Sequence, residues 1–247
     1  MSGHSKWSTI KRKKGANDAA RAKIFTKIGR ELAVAVKNGG PDPNVNTKLK
    51  DVIAKAKQNN VPNDNIERML KKASGDNGGA EYEEIIYEGY GPSGVAVIVE
   101  ALTDNRNRTA AEVRHCFDKA GGNMGTSGSV MFMFSRQGVI LIEKEDVDED
   151  ALMFDALDAG ATDFITDDAD VFEIRTEPND IGAIRDDLEA KGYQIVSSEA
   201  AYIPATYTRL ENEEDMMKMS RMIDMFEEDD DVQAIWHNWE NEDEYEG

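Results

Sequence analysis

The feature that most constrains this chain is how its charge is divided along its length. Residues 1–75 carry 17 Lys and Arg against 6 Asp and Glu, a net of +11; the other 172 carry 12 against 43, a net of −31. Together they make the −20 of the whole chain. A polyanion such as nucleic acid is drawn to the first part and repelled by the second. Asymmetry of this kind points to such a partner.

The chain is long enough, at 247 residues, for one large domain or two to three small ones. Its single cysteine, Cys116, allows no internal disulfide and fits a reducing compartment. No apolar run approaches the roughly 20 residues that span a bilayer, and no apolar stretch follows the basic start. A soluble, cytoplasmic protein without membrane contact is expected. His4, His115 and His237 lie far apart, and none has metal-ligand spacing. Asp229 and Asp231 open like a calcium loop, but the required glycine is missing. No metal, cofactor, catalytic residue or small-molecule substrate is expected, so the chain reads as a non-enzyme.

The basic part holds three helical patterns. Ile24, Phe25, Ile28, Leu32, Ala35 and Val36 share one side of a helix that stops at Gly39-Gly40-Pro41. Lys23, Lys27, Arg30 and Lys37 fall opposite, while Arg21 lies toward the apolar side. A second helix has Asn46 as N-cap and Leu49, Val52, Ile53 and Ala56 as its stripe. A third runs from Asn63 to Gly75. Before them, the arm Met1–Lys14 carries Lys6, Lys11, Arg12, Lys13 and Lys14 around Trp7, an indole suited to stacking on a base or to packing on the first helix. The nucleic-acid contacts expected from this part are Lys6, Trp7, Lys11–Lys14, Arg21, Lys23, Lys27 and Arg30.

The acidic part reads as α+β. A hairpin of Glu84–Tyr90 and Val95–Leu102 leads to a helix near 107–120 and an apolar run at 130–134. Strands and helices over 139–202 then follow the order β-α-β-β-α-β of a ferredoxin-like sandwich. A strand at 205–209, a helix at 211–226 and a strand at 232–239 are too few for a domain, so they return to the earlier block. The fold expected is α+β multidomain: an N-terminal three-helix bundle, then two α+β, ferredoxin-like domains, one inserted in the other. The bounds are 1–78 for the basic helical domain, 79–135 with 205–239 for the split domain, 136–204 for the insert, and 240–247 for an acidic tail. Met219, Met222, Ile223 and Phe226 form a packing stripe.

Two loops invite second contacts. Arg106 and Arg108 stand at a helix start that favours anions; pairing with nearby carboxylates is the equal alternative. Gly121–Ser129, with Gly122, Met124, Gly125 and Gly128, offers backbone N–H groups to a phosphate or a ribosomal surface, or simply turns the chain.

Gly3-His4-Ser5-Lys6-Trp7, Lys23-Ile24-Phe25-Thr26-Lys27 with Arg30-Glu31-Leu32, Tyr87–Pro92, Thr103–Thr109 and Gly121–Val130 resemble the YebC family. The resemblance implies a three-domain protein with a helical N-terminal domain and two α+β domains, one split by the other. It also implies either a probable DNA-binding transcriptional regulator or a translation factor that binds ribosomal RNA at the ribosome. Phosphate affinity fits both.

Overall fold

The computed structural model describes residues 7, 10, 18–75 and 81–245. The contacts expected at Lys6 and Lys11–Lys14 lie outside the described residues, as do residues 246–247 of the tail.

Three helices follow from the three apolar stripes: α1 (Asp18–Gly39), α2 (Thr47–Gln58) and α3 (Asn63–Ala73). They bury Ile28, Leu32, Leu49, Val52 and Ile66 against one another. Asn46 caps α2 by accepting from the Leu49 N–H at 3.0 Å. Its amide also donates to the Ala35 carbonyl at 2.8 Å and the Gly40 carbonyl at 2.7 Å, which ties α2 to the end of α1.

The first sheet contains β1 (Glu83–Tyr90), β2 (Ala96–Thr103), β3 (Asn123–Met124) and β8 (Val232–His237), in the order β3-β1-β2-β8, all antiparallel. Its helices are α4 (Arg106–Lys119) and α7 (Glu213–Glu228). The second sheet contains β4 (Phe134–Glu143), β5 (Asp163–Ile165), β6 (Val171–Thr176) and β7 (Ile195–Pro204), in the order β5-β6-β4-β7, with helices α5 (Glu149–Asp158) and α6 (Ile181–Ala190). Residues 134–204 thus build one sheet, while the chain on either side of them builds the other. The two sheets do not share one strand order, so a common ferredoxin-like plan for both is corrected here. A short strand inside the glycine-rich loop forms the outer edge of the first. The strand expected at 205–209 is also absent, leaving one bridge between Thr208 and Trp239.

Alternation along β2 explains how the layers stack. Val97 and Val99 face α4 and α7, where Phe117, Met219, Met222, Ile223 and Phe226 close the core. Ala96 and Ile98 face the other way, onto Val139 and Leu141 of β4. Ile140 and Ile142 of β4 then cover α5 and α6. The methionine stripe of α7 is therefore core, as its spacing indicated. Among the described residues no helix is long and apolar enough to cross a membrane.

The helical unit is fastened to the rest by ion pairs of unequal worth. Arg185 on α6 has a side chain only 2% exposed and reaches Asp51 of α2 at 2.9 Å. Lys48 meets Glu84 of β1 at 2.6 Å, but both side chains are more than half exposed. Water screens the second pair; removing a partner from the first strands a buried guanidinium with Asp186 alone. Asp51→Ala is expected to cost about 1–3 kcal/mol, and Lys48→Ala under about 0.5 kcal/mol. Urea midpoints of the two variants check this, and equal shifts would contradict it.

Candidate nucleic-acid interface

Lys23, Lys27 and Arg30 recur one helical turn apart on α1, and the structure brings all three to the end of α7. The last carbonyls of a helix lack intrahelical donors and carry its negative pole. Lys23 donates to the Glu228 carbonyl at 3.2 Å and Lys27 to the Glu227 carbonyl at 3.1 Å. Arg30 donates to the Asp230 carbonyl at 2.9 Å, the Leu102 carbonyl at 3.2 Å and the Asp231 carboxylate. These cations, read as phosphate contacts, are spent within the chain. The spacing was visible in the sequence; the partner, some 200 residues away, was not.

Asp231 is the centre of this junction. Its side chain is 4% exposed and receives Arg30, Arg108 at 2.6 Å, Thr109 at 2.7 Å and Thr103 at 3.1 Å. Burial pushes its carboxyl up, but the hydrogen bonds from Arg108, Thr109, Arg30 and Thr103 outweigh it and leave it lowered to about 2. Glu112, Asp229 and Asp231 bring carboxylate oxygens within 4.8 Å of one another, a spacing that suits a metal. Arg30 and Arg108 already balance the charge of Asp231, and the Thr103 and Thr109 hydroxyls take its remaining lone pairs, an arrangement that ties the elements together. Burial pushes the Glu112 and Asp229 carboxyls up.

Of the two inviting loops, the first follows its structural alternative. Arg106 pairs with Glu83 at 3.1 Å, and Arg108 also pairs with Asp104 at 2.9 Å. Asn105 caps α4 through the Arg108 N–H. In the second loop, Gly128, Val130 and Met131 do present converging N–H groups. Their anion is internal, however: the buried Glu88 carboxylate accepts them at 2.6, 2.8 and 2.7 Å. Burial pushes Glu88 up, and these three bonds more than offset it, leaving it below the usual carboxylate range. Gly122 lies against the Tyr90 carbonyl and Gly125 against Ser129, where a Cβ would collide. Met124 belongs to β3 and packs on the first core. The loop thus turns N–H groups of Gly128, Val130 and Met131 onto a carboxylate of its own chain, where the sequence left open a phosphate, a ribosomal surface or a simple turn.

Trp7 is corrected as a stacking platform. It is 6% exposed, sits between the two sheets with Ile98, Leu141 and Trp236, and donates to Asp170 at 3.2 Å. A buried ring offers a base no face. Burial also pushes the Cys116 thiol up to about 11, the state of an inert core cysteine.

After these internal pairings, Arg21, Lys57, Arg68, Lys71 and Lys72 remain exposed. Arg68, Lys71 and Lys72 share one face of α3. Among the described residues no acid lies within ion-pair distance of any of the five, whereas Lys37, Lys48, Lys50 and Lys55 are all paired.

Residues 5–76 match the model of the TACO1/YebC protein N-terminal domain, and residues 82–239 that of the TACO1/YebC second and third domain. A probable transcriptional regulatory protein of Finegoldia magna is 57% identical, with 98% of this chain and 100% of the relative covered. One from Acetivibrio thermocellus is 58% identical over the same shares. The crystal structure of a conserved hypothetical protein from Aquifex aeolicus superposes with a TM-score of 0.81 at 42% identity, covering 90% of this chain and 91% of that one.

Two buried carboxylates, Asp231 and Glu88, respond to pH with the same sign. Asp231 is lower in the fold than in the unfolded chain, so its stabilisation is complete above about pH 4 and is lost as pH falls toward 2. Asp231→Asn is expected to cost about 2 kcal/mol at pH 7 and to flatten the acid limb of the stability curve. Glu88→Gln places an amide N–H among three donors; a loss of about 2–3 kcal/mol is expected in urea unfolding, falling as pH is lowered through the carboxylate range. Parallel stability–pH curves for variant and wild type would contradict either assignment.

Proposed function

Because this chain belongs to the TACO1/YebC family, we propose that it is a non-enzymatic, nucleic-acid-binding regulator of gene expression that grips phosphate through its basic helical unit. One observation supports this best: among the described residues, five exposed cations of α1–α3 have no acid within ion-pair distance, whereas the other described cations of this unit meet acids or carbonyls within the chain. Such contacts hold the backbone without reading sequence. Lys6 and Lys11–Lys14 extend the patch on this reading, and Arg21 borders it. Lys23, Lys27 and Arg30 orient α1 and add little direct contact. The acidic remainder keeps a polyanion on that one face.

The same reading carries the domain plan: a three-helix bundle at 1–78, a split α+β unit at 79–135 with 205–239, an inserted unit at 136–204 and an acidic tail at 240–247. The strand order β5-β6-β4-β7 supports a ferredoxin-like insert. DNA in transcription and ribosomal RNA in translation share the chemistry, and both belong to a cytoplasmic protein.

Reversing Lys57, Lys71 and Lys72 to Glu should weaken binding evenly across sequences and lower the salt slope by about one per lost contact. Fluorescence anisotropy against duplex DNA and structured RNA measures it. Unchanged affinity and slope would remove the helical unit from the interface. Sedimentation of the protein from lysate, with RNase or DNase added, separates the two partners.

A further inference from the structure

A groove of about 650 Å³ lies where α1 and α2 meet β7 and β8. These are the edge strands of the two sheets, so the groove stands at the junction of all three units, a usual place for a binding site. Phe25 and Val196 give it apolar wall, and exposed Arg21 lies on its lining.

Gln233 sets this groove apart. On β8, Ala234 pairs with Glu100 and Val232 with Ala101, which leaves Gln233 as the extra residue of a β-bulge. Bulges re-aim a side chain at the expense of ladder pairing. The side chain so placed lines the groove, and both its Nε2 and its Oε1 are buried without a hydrogen-bond partner. A leucine here would pack without that penalty. An amide with donor and acceptor both unmet is built for something that carries the complementary pair.

We propose that this groove receives one unpaired nucleotide of the bound nucleic acid. The Gln233 amide meets the base edge with one donated and one accepted hydrogen bond, the pairing an amide makes with adenine. Phe25 and Val196 take the base faces, and Arg21 takes the adjoining phosphate. A base held in a duplex cannot enter, so the groove confers a preference for single strands. This rests on the nucleic-acid reading above and adds to it where a base, as opposed to backbone, is recognised.

Fluorescein-labelled single-stranded RNA and DNA dodecamers of mixed sequence, and the duplex of the same length, are titrated with wild type and Gln233→Leu. The variant should melt at a higher temperature, lose about tenfold in single-strand affinity, and keep its duplex affinity and salt slope. Wild-type binding with equal single-strand affinity in the variant overturns the groove and leaves the wider reading standing. No binding of any probe by wild type overturns both. Should Gln233→Leu misfold, photocrosslinking of wild type to a 4-thiouridine dodecamer decides: crosslinks at Phe25 or Gln233 peptides support the proposal, and crosslinks confined to α3 overturn it.

Discussion

The arrangement of the units depends on the carboxylate of Asp231. It accepts from α1 through Arg30, from α4 through Arg108 and Thr109, and from β2 through Thr103. Two cations against one buried anion, with two hydroxyls on the remaining lone pairs, meet the conditions under which a buried charge is stabilising: every partner is present and every oxygen is used. The same turn exposes the end carbonyls of α7, where Lys23 and Lys27 act as foreign caps. A helix of the basic unit thus completes a helix of the acidic one.

Part of the division of charge is internal complementarity: among the described residues, seven of the twelve cations of residues 18–75 meet acids or carbonyls within the chain. Cations of α1 and α2 meet acids or carbonyls of both sheets' units, and Arg185 returns the favour from α6 to Asp51. Exposed pairs among these contribute under about 1 kcal/mol each. The docking therefore rests on the buried ones at Asp231 and Arg185. Among the described residues, the exposed cations without an ion-pair partner are fewer than the sequence total suggests, and three of the five lie on α3.

Features set by neighbours in sequence were legible. Asn46 as a cap and Met219, Met222, Ile223 and Phe226 as a stripe follow from local spacing. The return of the chain to the first sheet was legible too, because three leftover elements cannot bury a core. Features set across long separations were not. The anion cradled by Gly128, Val130 and Met131 sits 40 residues earlier, on a strand where Glu88 alternates like any exposed residue. Trp7 reads as a ring among lysines, suited to stacking on a base or to packing on the first helix, yet its indole fills the space between two sheets formed far downstream. In each case a charge or ring was counted correctly and its partner was not.

The two buried carboxylates also set a standard against which other polar groups can be weighed. Glu88 and Asp231 each collect three or more donors, whereas among the described residues the hydroxyls of Tyr87 and Ser129 and the whole amide of Gln233 are buried without a partner. Gln233 departs from that standard on a strand that also gives up a ladder position to place it. Local choices that oppose stability without compensation concentrate where a sequence serves something other than folding. The groove beside β8 is the one place where the bulge, the unmet amide and the junction of all three units coincide among the described residues. On the proposed function, phosphate contacts on α3 would hold any nucleic acid alike, and a single base edge read at that junction would let the same protein tell an open strand from a closed one.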